Sequence, residues 1–127
     1  MINQRSALLT GVVFAGLAVA VGAFGAHALR PLLEENARTE TFELAVRYQF
    51  YHAFAILFSG MLMIYFPSRH LKHAVLCFAG GILFFSGSLY ALSLTGLRTL
   101  GAITPFGGVF FIAGWLLLYL GINAKRS

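Results

Sequence analysis

Apolar residues run almost unbroken through four stretches of the chain, roughly 6–29, 48–66, 74–95 and 105–122. Each is about 18 to 24 residues long, and at 1.5 Å per residue can cross a hydrocarbon layer about 30 Å thick. Lipid offers the backbone no hydrogen-bond partner, so a spanning segment must be a helix or a strand of a closed barrel. These runs lack the two-residue alternation of barrel strands, which leaves helices. With their polar leads included, the predicted helices cover about 6–29, 42–66, 72–95 and 105–122. The expectation is an all-α integral membrane protein, with residues 1–127 forming one domain. Its four transmembrane helices make a compact bundle, with a short polar connector, readable as an interfacial helix, between helices 1 and 2.

The breaks are punctuated by ordinary turn chemistry. Arg30-Pro31 closes the first helix, because proline disfavours helix in the residue before it. Thr39 or Thr41 is placed to cap the second, and Glu43 and Arg47 stand four apart in the order that favours an ion pair. Pro67-Ser68-Arg69 makes the next turn. Gly96 sits where a helix C-cap belongs, and Thr104-Pro105 reads as an N-cap followed by proline at the first helical position. Arg5, the apolar run and Ala26-His27-Ala28 also resemble a secretory signal with a cleavage site. The run is longer than a signal core and three more follow, so a retained span is the expectation.

Composition sharpens the class. The 127 residues are 59% hydrophobic and 10% charged, against about 25% charged in a soluble domain. The net charge of +5 is scattered at segment ends rather than gathered in a stripe, which argues for headgroup anchors and against nucleic acid as a partner. The lone Cys77 leaves neither an intrachain disulfide nor a cysteine-based zinc site. Four spans put Arg5, Arg69, Lys72, Lys125 and Arg126 on one side, and Arg30, Arg38, Arg47 and Arg98 with every acid on the other. That narrow excess predicts cytoplasmic termini.

Small residues mark the packing faces. Helix 1 shows Ala7, Gly11, Ala15, Ala18, Gly22 and Gly25 at three- and four-residue steps. Helix 3 offers Gly80 and Gly87, and helix 4 repeats Gly107, Gly114 and Gly121. Within a bilayer such positions let backbones approach. They are expected to be seams inside the bundle, or else the seam of a homo-oligomer or membrane-protein complex.

The polar side chains are unevenly distributed in depth. His27, Tyr48, Gln49, His52, Ser86, Ser88, Tyr90, Thr95 and Thr104 all fall in the outer part of a four-span arrangement. Tyr48, Gln49 and His52 share a face with Ala45, Ala55 and Ser59, whereas Tyr51 and Arg47 point elsewhere. A histidine facing lipid is costly, so His52 should turn inward, toward Gln49, Tyr90 or Ser88. Two uses compete: a hydrogen-bonded latch fixing helix register, and a pocket for a small molecule or ion lined by His52, Tyr48, Gln49, Tyr90 and His27. Haem held between His27 and His52 ranks third. His70 and His73 lack a third metal ligand. No acid lies within a span, so neither a carboxylate proton relay nor a Ser-His-Asp triad is expected.

Four ordered motifs carry a family resemblance: Gly22-Ala23-Phe24-Gly25-Ala26-His27-Ala28-Leu29, Tyr48-Gln49-Phe50-Tyr51-His52-Ala53, Phe85-Ser86-Gly87-Ser88-Leu89-Tyr90 and Thr104-Pro105-Phe106-Gly107-Gly108. Over nearly the whole chain they resemble the YgdD-like small bacterial inner-membrane family, domain-of-unknown-function family 423, similar to the eukaryotic transmembrane-protein-256 group. The resemblance implies a four-span protein of the bacterial inner membrane, and it brings no established activity with it. The expectation is a non-enzymatic structural or accessory component of the membrane, without metal or cofactor.

Overall fold

The computed structural model describes residues 2–124, and Lys125 and Arg126 of the charge count lie outside them. The described chain is helical. Helix α1 spans Gln4–Ala26, α2 Arg30–Glu35, α3 Thr39–Leu62 and α4 Arg69–Gly81. A π-helical segment, Ile82–Ser86, joins α4 directly to α5, Gly87–Thr95. A 3₁₀ turn at Arg98–Ala102 leads into α6, Thr104–Asn123.

Three of these units are long and apolar enough to cross a membrane: Gln4–Ala26, Arg69–Thr95 and Arg98–Asn123. The expected fourth, α3, has 24 residues but falls short in composition. Its Glu40, Glu43, Arg47, Gln49 and His52 dilute the apolar run. Glu40, Glu43 and Arg47 are exposed near the start of the helix, whereas Gln49 and His52 are buried. Helix α3 packs on α1, α4 and α5, and it buries Phe42, Ala45, Gln49, His52, Ala53, Ala55, Ile56, Ser59 and Gly60. A helix face packed against other helices need not be as oily as one facing lipid.

Neighbouring long helices run antiparallel, as their glycine contacts show. Gly11 meets Leu57, Gly22 meets Val46 and Gly25 meets the Phe42 ring, so α1 and α3 run in opposite directions. Gly107 meets Phe85, Gly114 meets Phe78 and Gly121 meets Leu71, which sets α6 against the α4–α5 unit in the same manner. Gly80 and Gly87 depart from the expected seam. A Cβ at Gly80 would meet open space, and one at Gly87 only the Ile82 carbonyl at 4.0 Å. The close approaches from this part of the chain come from Gly81, under the Phe111 ring, while Gly60 on α3 sits against Ala7 and Leu8.

Several local expectations change. Helix α1 stops at Ala26, and Pro31 opens α2 instead of closing α1. At the end of α2 the Arg38 amide donates to the Leu33 carbonyl and the Ala37 amide to Glu34, at 2.9 and 3.1 Å. This is a Schellman closure with Ala37 at the left-handed position, φ 54°, where glycine is usual. Neither Thr39 nor Thr41 caps α3, whose N-cap is Arg38. Among the described residues the ion pair formed is Arg30–Glu34 at 3.0 Å, not Glu43–Arg47. Gly96 does take the left-handed conformation, φ 74°, and its amide bonds the Leu92 carbonyl.

Candidate functional site

Helix α3 supplies the centre of the polar layer because its three- and four-residue steps aim Gln49 and His52 into the bundle. Both are buried, while Tyr51 and Arg47 are exposed. Gln49 bridges two neighbours. Its amide Nε2 donates to the Phe14 carbonyl of α1 at 2.8 Å, and its Oε1 accepts from the Tyr90 hydroxyl of α5 at 2.6 Å. One side chain thereby ties three helices together. Tyr90 is further held by the Phe42 ring, 5.2 Å away between centroids.

His52 does not meet Gln49, Tyr90 or Ser88. Its Nε2 accepts from the indole N–H of Trp115 at 3.2 Å, and its Nδ1 lies 2.8 Å from the Tyr48 carbonyl. Indole is only a donor and a carbonyl only an acceptor. The imidazole is therefore neutral with its proton on Nδ1, which donates to Tyr48. Its face stacks on Phe111, with centroids 3.5 Å apart and planes 7° apart. Phe78 and Tyr48 close two further sides, each 5.8 Å away. Tyr48 contributes its backbone carbonyl and its ring, which also stacks on Phe85 at 4.7 Å.

The serines add shorter ties. The Ser86 hydroxyl, at the end of the π segment, donates to the Ala45 carbonyl of α3 at 2.7 Å. Ser88 donates to the Phe85 carbonyl at 3.0 Å and stands 2.6 Å from the Thr104 hydroxyl. The two hydroxyls share a hydrogen bond that joins α5 to α6. Thr104 is thus the first residue of α6 and a link to α5, not an N-cap.

Two predicted members fall outside. His27 is exposed at the end of α1, beside a shallow apolar groove lined by Ala20, Ala23 and Phe24. Its helix meets α3 near Phe42, ten residues and about 15 Å up the helix from His52. Haem between these two histidines does not fit that separation, and both nitrogens of His52 are already bonded. Thr95 is also exposed, its hydroxyl bonding the Ala91 carbonyl one turn back.

Trp115, Phe111 and the docking of α2, where Asn36 Nδ2 donates to the Ser93 carbonyl at 3.1 Å, stand outside the layer expected from depth and spacing. A signal for Phe111 was present. It lies between Gly107 and Gly114 on the face they define, along with Leu118 and Gly121, and all five are buried.

Comparison with known proteins places this arrangement. The family described as "Protein of unknown function (DUF423)" matches residues 21–108. The chain belongs to that family. The matched region runs from the end of α1 into α6 and contains Gln49, His52, Ser88, Tyr90 and Thr104. A "UPF0382 membrane protein" of Staphylococcus epidermidis is 44% identical over 113 residues, covering 89% of this chain and 91% of its own. "UPF0382 membrane protein SH2409" of Staphylococcus haemolyticus is 42% identical over the same shares. "UPF0382 membrane protein YwdK" of Bacillus subtilis is 39% identical over 118 residues, 87% of this chain and 90% of its own. No solved structure matches. With three helices of membrane length, this member of the family is a helical membrane protein.

Proposed function

We propose that the chain is a four-span protein of the bacterial cytoplasmic (inner) membrane, with both termini in the cytoplasm. It acts as a non-enzymatic structural or accessory component, through packing with copies of itself or within a larger membrane complex. The polar layer is its internal latch. Supporting the fourth span, α3 has the length of its neighbours and lies antiparallel to α1. Its Gln49, His52 and Ser59 are buried among helices, and its exposed Glu40, Glu43 and Arg47 stand toward its N-terminal end.

One observation carries the latch: the polar groups of the layer already have protein partners. Gln49 uses both ends of its amide, His52 both ring nitrogens, and Tyr90, Ser86 and Ser88 their hydroxyl protons. A ligand would have to break these bonds and displace Phe111 from the face of His52. Interhelical hydrogen bonds in membranes average about 0.6 kcal/mol each, so a set of them fixes helix rotation and register while adding modest stability.

A double-mutant cycle on Gln49→Leu and Tyr90→Phe, read by reversible unfolding in bicelles, tests the proposal. A latch gives two destabilising single variants and a combined loss smaller than their sum. If both singles are more stable than the native chain, these polar groups are carried at a cost for something else, and the latch is wrong.

A further inference from the structure

All four acidic residues of the chain lie between positions 34 and 43. The end of the bundle opposite that connector gathers the start of α1, the turn after α3 and the start of α4. Among the described residues it holds cations and no carboxylate. Here an open groove of about 420 Å³ is lined by Asn3, Gln4, Ser68, Arg69 and Lys72, with Met63 as an apolar wall. Arg69 and Lys72 are exposed, and neither forms an ion pair with a described residue.

Two helices start at the rim of this groove. Asn3 caps α1 by accepting from the Ser6 amide, and Ser68 caps α4 by accepting from the His70 amide. Their positive dipole ends reinforce the field of the two side chains. Lys72 and His73 also line an adjoining open groove of about 320 Å³, whose apolar walls are Ile2 and Leu76. Polar donors and fixed charge therefore stand directly beside the apolar walls of Ile2 and Leu76, on a helix whose other face buries Leu71, Ala74 and Val75.

We propose that this groove binds a phosphate group, presented by the headgroup of an anionic phospholipid. Arg69 and Lys72 meet the phosphate, Asn3, Gln4 and Ser68 supply neutral contacts, and the adjoining Ile2–Leu76 groove receives the glycerol and upper acyl carbons. A soluble phosphate shares the first chemistry but has no use for the apolar walls. The site is independent of whether the polar layer is a latch, because it lies at the other end of the bundle.

The test is native mass spectrometry of the full chain in detergent, titrated with phosphatidylglycerol or phosphatidylcholine, and with inorganic phosphate as competitor. Each basic residue at a negative surface is worth about fivefold, so Arg69→Gln with Lys72→Gln lowers phosphatidylglycerol affinity about thirtyfold. The pair Arg47→Gln with Arg98→Gln, at the other end, leaves it unchanged. Both pairs are exposed, so neither threatens the fold. Equal losses from the two pairs, or no preference for phosphatidylglycerol over phosphatidylcholine, overturns the site. Displacement by inorganic phosphate at the affinity of the lipid itself overturns the lipid assignment.

Discussion

Trp115 and His52 form a hydrogen bond between an exposed residue and a buried one. Trp115 is 47% exposed on α6, yet its indole N–H reaches the Nε2 of His52 at 3.2 Å. The imidazole sits flat against Phe111 from the same helix. Helix α6 therefore grips α3 at two neighbouring points, one polar and one aromatic.

Trp115→Phe keeps the ring and removes the donor, leaving Nε2 of a buried imidazole without its partner. The expected loss is about 1 kcal/mol of unfolding free energy, since an orphaned buried acceptor costs more than an average membrane hydrogen bond gains. Reversible unfolding in bicelles measures it. In combination with His52→Phe, the second substitution adds little, because the acceptor has gone.

The glycines separate into close and open classes. Gly107→Ala drives a Cβ into the backbone of Phe85 within the π segment, which cannot move aside as a side-chain tip can. The expected cost is about 1–3 kcal/mol. Gly80→Ala meets open space and gains helix propensity, so its effect is neutral or stabilising by up to about 1 kcal/mol. Thermal unfolding of the two variants side by side shows a lowered midpoint for Gly107→Ala and an unchanged or raised one for Gly80→Ala.

Ala37 occupies a left-handed position at φ 54°. Ala37→Gly relieves that strain without touching a side-chain contact, and should stabilise the connector by up to about 1 kcal/mol. Slower amide exchange in α2 reports it.

Much of this arrangement was legible in the chain. The apolar runs, the α1 and α6 glycine faces and the inward turn of Gln49 and His52 all follow from three- and four-residue spacing. Partner choice did not. Gln49 and His52 lie on one face, but which neighbour each meets depends on the relative rotation of α5 and α6. That rotation is set in part by Gly107 seated on Phe85, a contact that spacing within one helix cannot reveal. The π segment, Ile82–Ser86, carries no mark in its composition, and it shifts the register of Ser88 and Tyr90 against α3. His27 was grouped by depth alone. Depth does not say which way a residue at a helix end points.

The central claim is that the polar layer is closed, and the imidazole of His52 reports on it most directly. Nitrogen-15 spectroscopy of labelled protein in lipid should show one neutral tautomer, protonated on Nδ1, with Nε2 coupled to the Trp115 indole proton. A tautomer protonated on Nε2, or a mixture exchanging with solvent, would mean that the layer is open, and would contradict the latch.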